Sequence, residues 1–383
     1  MRGPLPPAVV TDLSVSAGES CDVTSLSLAT ERGPTPAVVG GRLAELTTLR
    51  VGGPAQSVVV ADTEDALIEA VRAADAAGRP VLVLGGGSNV LIADRGFPGT
   101  VVKVATRGVA ADVSDCSGAT VTVAAGEDWD TLVATAVEQE WSGIEALSGI
   151  PGLVGGTPIQ NVGAYGSEVA QTIARVRTFD RSTGQQATFS VADCGFGYRT
   201  SRFKAERGRF LVLEVTFQFV LGSLSAPIRY AELARALGVP VGTRVPAADV
   251  RRAVLALRAG KGMVLDANDP DTWSAGSFFT NPVLDAADAA RLPADAPRYP
   301  QPDGAVKTSA AWLIERAGFG KGFGAELGSG RATLSTKHTL ALTNRGGANA
   351  DDLLALAREV RAGVQQTFGV ALVEEPVLVE CTL

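Results

Sequence analysis

Residues 149–166 concentrate glycine among apolar residues and carry two adjacent side-chain amides, those of Gln160 and Asn161. Glycine in apolar sequence marks positions where the backbone approaches another group closely or takes a positive φ. Each amide side chain offers a donor and an acceptor together. The combination predicts a wall of backbone amides against a large, flat, hydrogen-bonding cofactor. A tight loop with glycines placed for turns is the alternative.

A second glycine cluster, residues 85–89 (Gly-Gly-Gly-Ser-Asn), directly follows a predicted strand at Val81–Leu84. Consecutive small residues after a strand expose several N–H groups in one concavity, which suits phosphate oxygens. No lysine follows as in a P-loop, and Val90 stands where the dinucleotide fingerprint needs glycine or alanine. The cluster therefore favours a diphosphate that is bound once and held, such as that of FAD, over a hydrolysed nucleotide.

Two further residues are candidates for chemistry. Ser277 lies between Gly276 and a pair of phenylalanines, and a hydroxyl in such a water-poor slot can deliver a proton to carbon. The alternative is a serine that caps the start of a strand. Arg199 lies in a run of aromatic and basic residues, where its planar fork could grip a carboxylate. A solvated basic loop is the alternative there.

Glu374 and Glu375 interrupt an apolar stretch near the C-terminus. In a regular strand their side chains point to opposite faces, so at most one is buried on a given side. A buried, paired carboxylate would be a functional candidate, whereas two solvated edge residues would not. Arg258 and Lys261 follow a predicted helix, where they either complement its dipole or bind a diphosphate.

Composition limits the classes of partner. The 383 residues carry a net charge of −7, which argues against binding nucleic acid or an anionic membrane. No apolar run is long enough for a membrane span, and no signal peptide is evident. The four cysteines lack CxxC spacing, which indicates reduced thiols of a cytoplasmic protein without a zinc or other metal site.

Hydrophobic periodicity predicts alternating helices and strands after a Pro- and Ser-rich start. The predicted helices are 64–77, 128–140, 247–257, 309–317 and 351–368. The predicted strands are 58–60, 81–84, 121–124, 175–180, 186–190, 210–220, 276–283, 339–343 and 370–379, with a hairpin turn at 182–184.

Taken in order, these segments resemble the UDP-N-acetylenolpyruvoylglucosamine reductase family. The similarity runs over about residues 45–380 in the family's order. The matching stretches are 48–54, 84–91, 149–166, 196–204, 228–233, 275–282, 311–322 and 338–344. The Tyr230 segment is similar to that of the subtype with an extra substrate-contacting loop.

The resemblance implies an α+β fold: a two-lobed FAD-binding unit of the vanillyl-alcohol-oxidase (PCMH) type, followed by an α+β substrate domain. The implied divisions are a disordered tail (1–38), FAD lobe 1 (39–105), FAD lobe 2 (106–222), a substrate domain (223–368) and a C-terminal strand returning to lobe 1 (369–383). A monomer is expected.

The resemblance also implies that NADPH reduces bound FAD, which then reduces the enolpyruvyl ether of a UDP-sugar. Arg199, Ser277 and Glu375 fall on the catalytic positions. Glu374 remains an alternative to Glu375, because here the glutamate lacks the family's preceding proline. The implied cofactor contacts are Leu84, Gly85, Gly86, Gly87, Ser88, Asn89, Ile150, Gly152, Gly156, Gln160, Asn161, Gly163, Ala164 and Tyr165. The implied substrate contacts are Tyr198, Tyr230, Arg258, Lys261, Asn281 and His338.

The main rival is a flavin oxidase of the same FAD fold that acts on a small alcohol or hydroxy acid. Such oxidases often tether FAD to His or Cys, but His338 is the chain's only histidine and lies outside the FAD lobes. An oxidase also needs a base or a hydroxyl clamp on its substrate, whereas Ser277 offers an acid.

Overall fold

The computed structural model describes residues 22–28 and 41–383, which mix helices and strands along the chain. The helices are α1 (Glu64–Ala76), α2 (Trp129–Glu138), α3 (Thr157–Gln160), α4 (Arg202–Ala205), α5 (Ala231–Leu237), α6 (Ala247–Gly260), α7 (Ala286–Arg291), α8 (Ala310–Arg316) and α9 (Ala350–Phe368). No helix in these two ranges is long and apolar enough to cross a bilayer.

The strands of the first half of the chain are β1 (Thr24–Leu28), β2 (Ala55–Ala61), β3 (Val81–Leu84), β4 (Val90–Ile92), β5 (Phe97–Val104), β6 (Val109–Ser114), β7 (Gly118–Ala124), β8 (Trp141–Ser142), β9 (Gly163–Ala164), β10 (Ser167–Glu168), β11 (Ile173–Asp180) and β12 (Gln185–Ser190). The later strands are β13 (Phe210–Leu221), β14 (Val283–Leu284), β15 (Tyr299–Pro300), β16 (Val306–Lys307), β17 (Ala332–Leu334), β18 (Leu342–Asn344) and β19 (Val377–Val379).

The first of two compact units comprises residues 22–28, 57–86 and 99–258. Its main element is a seven-stranded sheet in the order β1-β6-β7-β13-β11-β12, with β8 also paired to β13. In β7, Ala119, Val121 and Val123 are fully buried while the residues between them are partly exposed. This alternation is what places one face of the sheet against the core formed with α2.

A smaller sheet has the strand order β2-β5-β3, and α1 lies between β2 and β3 in the chain. Strands β3 and β5 run parallel, and Leu84 is the partner of Lys103 at the end of the ladder. Thr63 caps the N-terminus of helix α1, because its hydroxyl accepts a hydrogen bond from Ala66 N at 3.2 Å. Its apolar face, with Leu67 and Val71, is fully buried.

The second unit comprises residues 41–56, 87–98 and 259–383. Helices α8 and α9 and the hairpin of β17 and β18 contribute to its apolar core. Asn349 caps α9 through a capping box with Asp352, and Gly369 ends the helix in the left-handed conformation. The C-terminal strand β19 pairs in parallel with β4.

Most predicted elements are confirmed, with ends that shift by one to three residues. Helices α1, α2, α6, α8 and α9 lie where periodicity placed them. The hairpin of β11 and β12 is present, with Asp180 opposite Gln185.

Three predicted strands are wrong in extent. Of 276–283 only Val283 is in a strand, because Gly276 has φ +73° and Pro282 offers no N–H for a ladder. Of 370–379 only Val377–Val379 is a strand, and it begins directly after Pro376. The strand predicted at 339–343 lies instead at Leu342–Asn344.

Two expectations about the N-terminal region and the cysteines also need correction. Within the predicted disordered tail, Thr24–Leu28 forms β1, which pairs antiparallel with β6 and extends the large sheet; the rest of that tail lies outside the described residues. Cys116 is disulfide-bonded, so the expectation of four reduced thiols is wrong, whereas Cys194 and Cys381 are free.

Candidate functional site

The two glycine-rich segments meet backbone to backbone in the first unit. A Cβ built on Gly86 would lie 2.7 Å from the Cα of Gly152, and one on Gly155 would lie 2.5 Å from the Cβ of Ala125. Distances this short exclude any side chain at either position. The approach of Gly86 to Gly152 is thus one between the two segments and fixes 85–86 against 149–166, whereas Gly155 approaches Ala125, which lies outside both.

Arg199 reaches the second glycine-rich segment directly. Its Nη2 donates to the carbonyl oxygen of Gly163 at 2.8 Å, and a Cβ on Gly163 would lie only 3.1 Å from Nη1. Arg199 itself has φ +53°, in the left-handed region that non-glycine residues seldom occupy. Its guanidinium lies 5.6 Å from the ring centroid of Tyr198. The rare backbone conformation and the hydrogen bond to Gly163 together indicate that Arg199 is held in a fixed position, unlike a side chain of a solvated basic loop.

The turn that carries Arg199 is bound to the glycine-rich segment by several side chains. Lys204 Nζ donates to the Arg199 carbonyl at 2.8 Å and to Gln160 Oε1 at 3.0 Å. Asn161, which is buried at φ +43°, donates from Nδ2 to the Gly197 carbonyl at 3.0 Å and to Glu168 Oε2 at 2.9 Å. The two amides singled out in the sequence thus hold the Arg199 turn in place.

Tyr165 and Tyr230 form an edge-to-face pair with ring centroids 5.7 Å apart. Burial raises the pKa of the Tyr165 hydroxyl to about 12, against the opposing effect of nearby Arg258. Burial in turn lowers the pKa of Arg258, whose charge faces Tyr165 and Asp130. A predicted cofactor residue and two predicted substrate residues therefore share one cluster in the first unit.

Asp130, which the sequence analysis did not identify, connects that cluster to the glycine-rich segment. Its carboxylate pairs with both terminal nitrogens of Arg251 in α6, at 2.6 and 2.9 Å. The same carboxylate accepts a hydrogen bond from Gly149 N at 2.6 Å. Helix α6 and the start of segment 149–166 are consequently held by one side chain.

In the second unit, the C-terminal segment lies against the segment that carries Ser277. Glu375 N donates to the Phe278 carbonyl at 2.8 Å, and Glu374 forms an isolated antiparallel bridge with Phe279. Both phenylalanines are 1% exposed, while Ser277, Glu374 and Glu375 are all half-buried. The two residues that follow Ser277 are therefore buried, and the Glu375 backbone is hydrogen-bonded to the first of them.

The same C-terminal segment contacts the end of the 85–89 cluster. Asn89 Nδ2 donates to the Glu375 carbonyl at 3.4 Å, and Gly87 has φ +66° with a virtual Cβ 1.8 Å from the Leu46 carbonyl. Only glycine fits at Gly87 on both grounds. A predicted cofactor residue and a predicted catalytic residue are thus neighbours within the second unit.

The remaining predicted substrate residues are in less distinctive surroundings. Asn281 Oδ1 accepts from Ala310 N at 2.9 Å, at the start of α8. His338 N contacts Ser335 Oγ at 3.3 Å, and its side chain is half-buried. Lys261 is half-buried just beyond the end of α6. The structure places Lys261, Asn281 and His338 in the second unit and Tyr198, Tyr230 and Arg258 in the first.

Lys103 is another residue missed by sequence reasoning. It lies in β5, and its Nζ donates to the carbonyl of Gly85. Burial, with a smaller effect of Arg107, lowers the pKa of this ammonium group to about 8. The available signal was a single lysine in the apolar run Thr100–Val104 shortly after the glycine cluster.

These features fit a flavin dinucleotide. The glycine-to-glycine contact of Gly86 with Gly152 leaves a backbone surface without side chains, which can approach a flat ring and its diphosphate closely. The described residues include no cluster of three or more His, Cys, Asp or Glu side chains that could hold a metal ion.

Comparison with known proteins agrees with this chemistry. Residues 55–190 match a family model described as an FAD binding domain, and residues 268–379 match one described as the C-terminal domain of UDP-N-acetylenolpyruvoylglucosamine reductase. The chain is 60% identical over 354 residues to a UDP-N-acetylenolpyruvoylglucosamine reductase of Cutibacterium acnes, covering 92% of this chain and 93% of that protein.

A reductase of the same description from Salinispora arenicola is 58% identical over 348 residues, covering 89% of this chain and 95% of the relative. Among solved structures, the UDP-N-acetylenolpyruvylglucosamine reductase of Thermus caldophilus superposes with a TM-score of 0.59 at 28% identity, over 88% of this chain and 97% of that one. The prediction of an α+β fold that opens with an FAD-binding unit is confirmed.

Proposed function

Because the chain belongs to the UDP-N-acetylenolpyruvoylglucosamine reductase family, we infer that it reduces UDP-N-acetylglucosamine enolpyruvate to UDP-N-acetylmuramate. It is an FAD-dependent oxidoreductase with NADPH as co-substrate, and the reaction belongs to peptidoglycan precursor synthesis. The relatives support this activity and give no support to the rival oxidase.

One observation in the structure carries most of the weight: the 2.8 Å hydrogen bond from Arg199 to the Gly163 carbonyl. It joins a side chain suited to a carboxylate with the backbone suited to a flavin. The substrate of the inferred reaction carries such a carboxylate next to the double bond that is reduced. An arginine fixed beside this backbone supports the assignment of Arg199 to the substrate carboxylate.

The proposed cofactor residues are the two glycine-rich segments, with Gln160 and Asn161 as polar anchors between them and the Arg199 turn. When bound there, FAD would supply the hydride-transfer chemistry between NADPH and the methylene carbon of the enolpyruvyl group. The chain contributes binding, exclusion of water and the proton.

The proposed proton donor is the Ser277 hydroxyl, which protonates the carbon next to the substrate carboxylate. The flanking phenylalanines are almost fully buried, so water competes poorly for that proton. Arg199 stabilises the negative charge that develops on the carboxylate side as the double bond is reduced. We assign Glu375 to polarise a neighbouring group of this proposed site. Its backbone hydrogen bonds with Phe278 and Asn89, which fix its position, support the assignment.

For the nucleotide part of the substrate, we assign Tyr230, Lys261 and Asn281 to the UDP diphosphate, and Tyr198, Arg258 and His338 to neighbouring contacts. A protein of net charge −7 needs local cations for such an anion. We retain the proposed divisions at residues 39–105, 106–222, 223–368 and 369–383, a monomeric state and a cytoplasmic location as expectations for experiment.

The inferred reaction is tested by anaerobic reduction of the purified protein with NADPH, followed by UDP-N-acetylglucosamine enolpyruvate. Rapid return of the oxidised flavin absorbance without oxygen is the expected result. A flavin that stays reduced until air is admitted would instead indicate an oxidase. Absence of a flavin absorbance band would contradict the cofactor assignment.

A further inference from the structure

Lys103 occupies an unusual position for a charged residue. Strand β5 alternates, and its neighbours Val102 and Val104 are buried in the core of the first unit. Lys103 points away from that core and is itself half-buried. It is the parallel-ladder partner of Leu84, the last residue before the glycine cluster. The side chain therefore stands beside the point where the chain leaves β3 for the cluster.

The ammonium group of Lys103 is hydrogen-bonded where the chain leaves β3 for the glycine cluster. Its Nζ donates to the carbonyl of Gly85, and no carboxylate in residues 22–28 or 41–383 forms an ion pair with it. Arg107, whose charge also lowers the pKa of Lys103, donates to Gly126 O at 2.6 Å and to Glu127 Oε2 at 3.3 Å. A partly desolvated ammonium held by a carbonyl keeps donor capacity for a further acceptor.

We propose that Lys103 binds the diphosphate of FAD, with its ammonium group placed by Gly85 at the glycine cluster. This assignment rests on the proposed function, since it concerns the cofactor of that reaction. A P-loop takes its lysine from the residue that follows the loop. Here the cation comes from the neighbouring strand, which is why the motif lacked one in the sequence.

Charge and solvation support the assignment. The diphosphate adds negative charge to an already acidic protein, so a local cation is needed to offset repulsion. Burial, with a smaller contribution from Arg107, lowers the pKa of Lys103 to about 8. An anion beside the ammonium group opposes that effect and favours the charged form.

The experiment measures flavin affinity of the full-length chain after removal of its flavin, by quenching of flavin fluorescence. We compare wild type, Lys103→Met and Lys103→Arg, with Lys321→Met as the control for loss of an exposed lysine. Loss of one charge-assisted hydrogen bond corresponds to an FAD Kd raised about 10- to 100-fold in Lys103→Met. Lys103→Arg should recover part of that affinity, and Lys321→Met should match wild type.

Riboflavin, which has no phosphate, separates charge recognition from packing. We expect Lys103→Met to bind riboflavin as wild type does, and its FAD Kd to respond less to added salt. Equal weakening of FAD and riboflavin would overturn the proposal, because it would show a general packing defect. Unchanged FAD affinity in Lys103→Met would overturn it as well.

Failure of the proposed function has a different signature. Where the cofactor assignment fails, the wild-type chain itself binds no FAD. Where only the reductase reaction fails, as for an oxidase, the wild-type chain still binds FAD and the comparison of variants still decides the role of Lys103. If Lys103→Met fails to fold, as judged by circular dichroism, Lys103→Gln and Lys103→Arg carry the comparison. Glutamine is polar but uncharged, so FAD affinity equal to wild type in Lys103→Gln would equally contradict the proposal.

Discussion

The side-chain amide of Asn89 donates a hydrogen bond to the backbone carbonyl of Glu375 at 3.4 Å. Val377 N returns a bond to the Asn89 carbonyl at 3.0 Å, and β19 continues from there along β4. The carboxyl-terminal segment is therefore held in register by the end of the glycine cluster. In this way a residue assigned to the cofactor fixes the backbone of a residue assigned to catalysis.

The hydrogen bond concerns the Glu375 backbone, so substitution of the two side chains is what decides between Glu374 and Glu375. We expect Glu375→Gln to lower turnover about 100-fold or more, as for loss of a group that stabilises charge in the transition state. Glu374→Gln, the matched control, should stay within a few-fold of wild type, because its bridge is to Phe279. Steady-state kinetics at saturating NADPH measure both. The reverse order of effects would assign the role to Glu374.

Replacing Ser277 with alanine tests the proton donor. Turnover should fall about 10²- to 10⁴-fold, the usual size of a general-acid effect, while NADPH reduces the flavin at the wild-type rate. Stopped-flow absorbance separates the two half-reactions. Thr280→Val removes a hydroxyl from the same segment and should have little effect. An unaltered rate of substrate reduction in Ser277→Ala would exclude this hydroxyl.

Lys261→Ala tests the diphosphate assignment. We expect the KM for the UDP-sugar to rise about tenfold with kcat little changed. The reason is that the contact of Lys261 with the diphosphate stabilises the ground state and the transition state equally. The KM for NADPH should not move. Lys321→Ala removes an exposed lysine and is the control. A rise confined to the NADPH KM would contradict the assignment.

Gly86→Ala tests the contact between the glycine-rich segments. The new Cβ would lie 2.7 Å from Gly152 Cα, and the strain of such overpacking costs about 1–3 kcal/mol. We expect the purified variant to carry less FAD than wild type. Gly320→Ala is the control, because its Cβ would meet nothing within 4 Å and Gly320 is not assigned to the cofactor or the substrate. Equal flavin content in both variants would refute the close approach.

Asp130→Asn tests the link between α6 and segment 149–166. Burial raises the pKa of Asp130, but hydrogen bonds from Arg251 and Gly149 outweigh it, so the net pKa is lowered. A carboxylate whose pKa is lowered on folding stabilises the protein above its unfolded pKa of about 3.9. That stabilisation is lost as the pH falls through the folded pKa.

We therefore expect Asp130→Asn to reduce the free energy of unfolding by about 1–2 kcal/mol at neutral pH, the range for a charged hydrogen bond that is partly exposed. The difference from wild type should shrink below about pH 4. Chemical denaturation at several pH values measures it. Asp249→Asn, in the exposed pair with Arg252 on α6, should change little. A difference independent of pH would contradict the ionic origin.

Local sequence patterns were enough to predict most of the longer helices and strands of this protein. Amphipathic spacing specified helices such as α1 and α9, and alternation specified β7 and β13. The glycine-rich segments were compatible with a bound flavin diphosphate or with a tight loop, and the resemblance to the reductase family favoured the flavin. Ser277 and Arg199 were candidates from their neighbours, and the same resemblance assigned them to catalysis.

Tertiary structure decided what depends on residues far apart in the chain. That Gly86 lies against Gly152, that Asp130 holds Gly149, and that Asn89 bonds to the Glu375 backbone are pairings with no local pattern. Lys103 was missed for the same reason, since only the parallel pairing of β5 with β3 brings its ammonium group to Gly85. Hydrophobic periodicity fixes which face of an element is buried, but the partner it meets is chosen by packing of the whole fold.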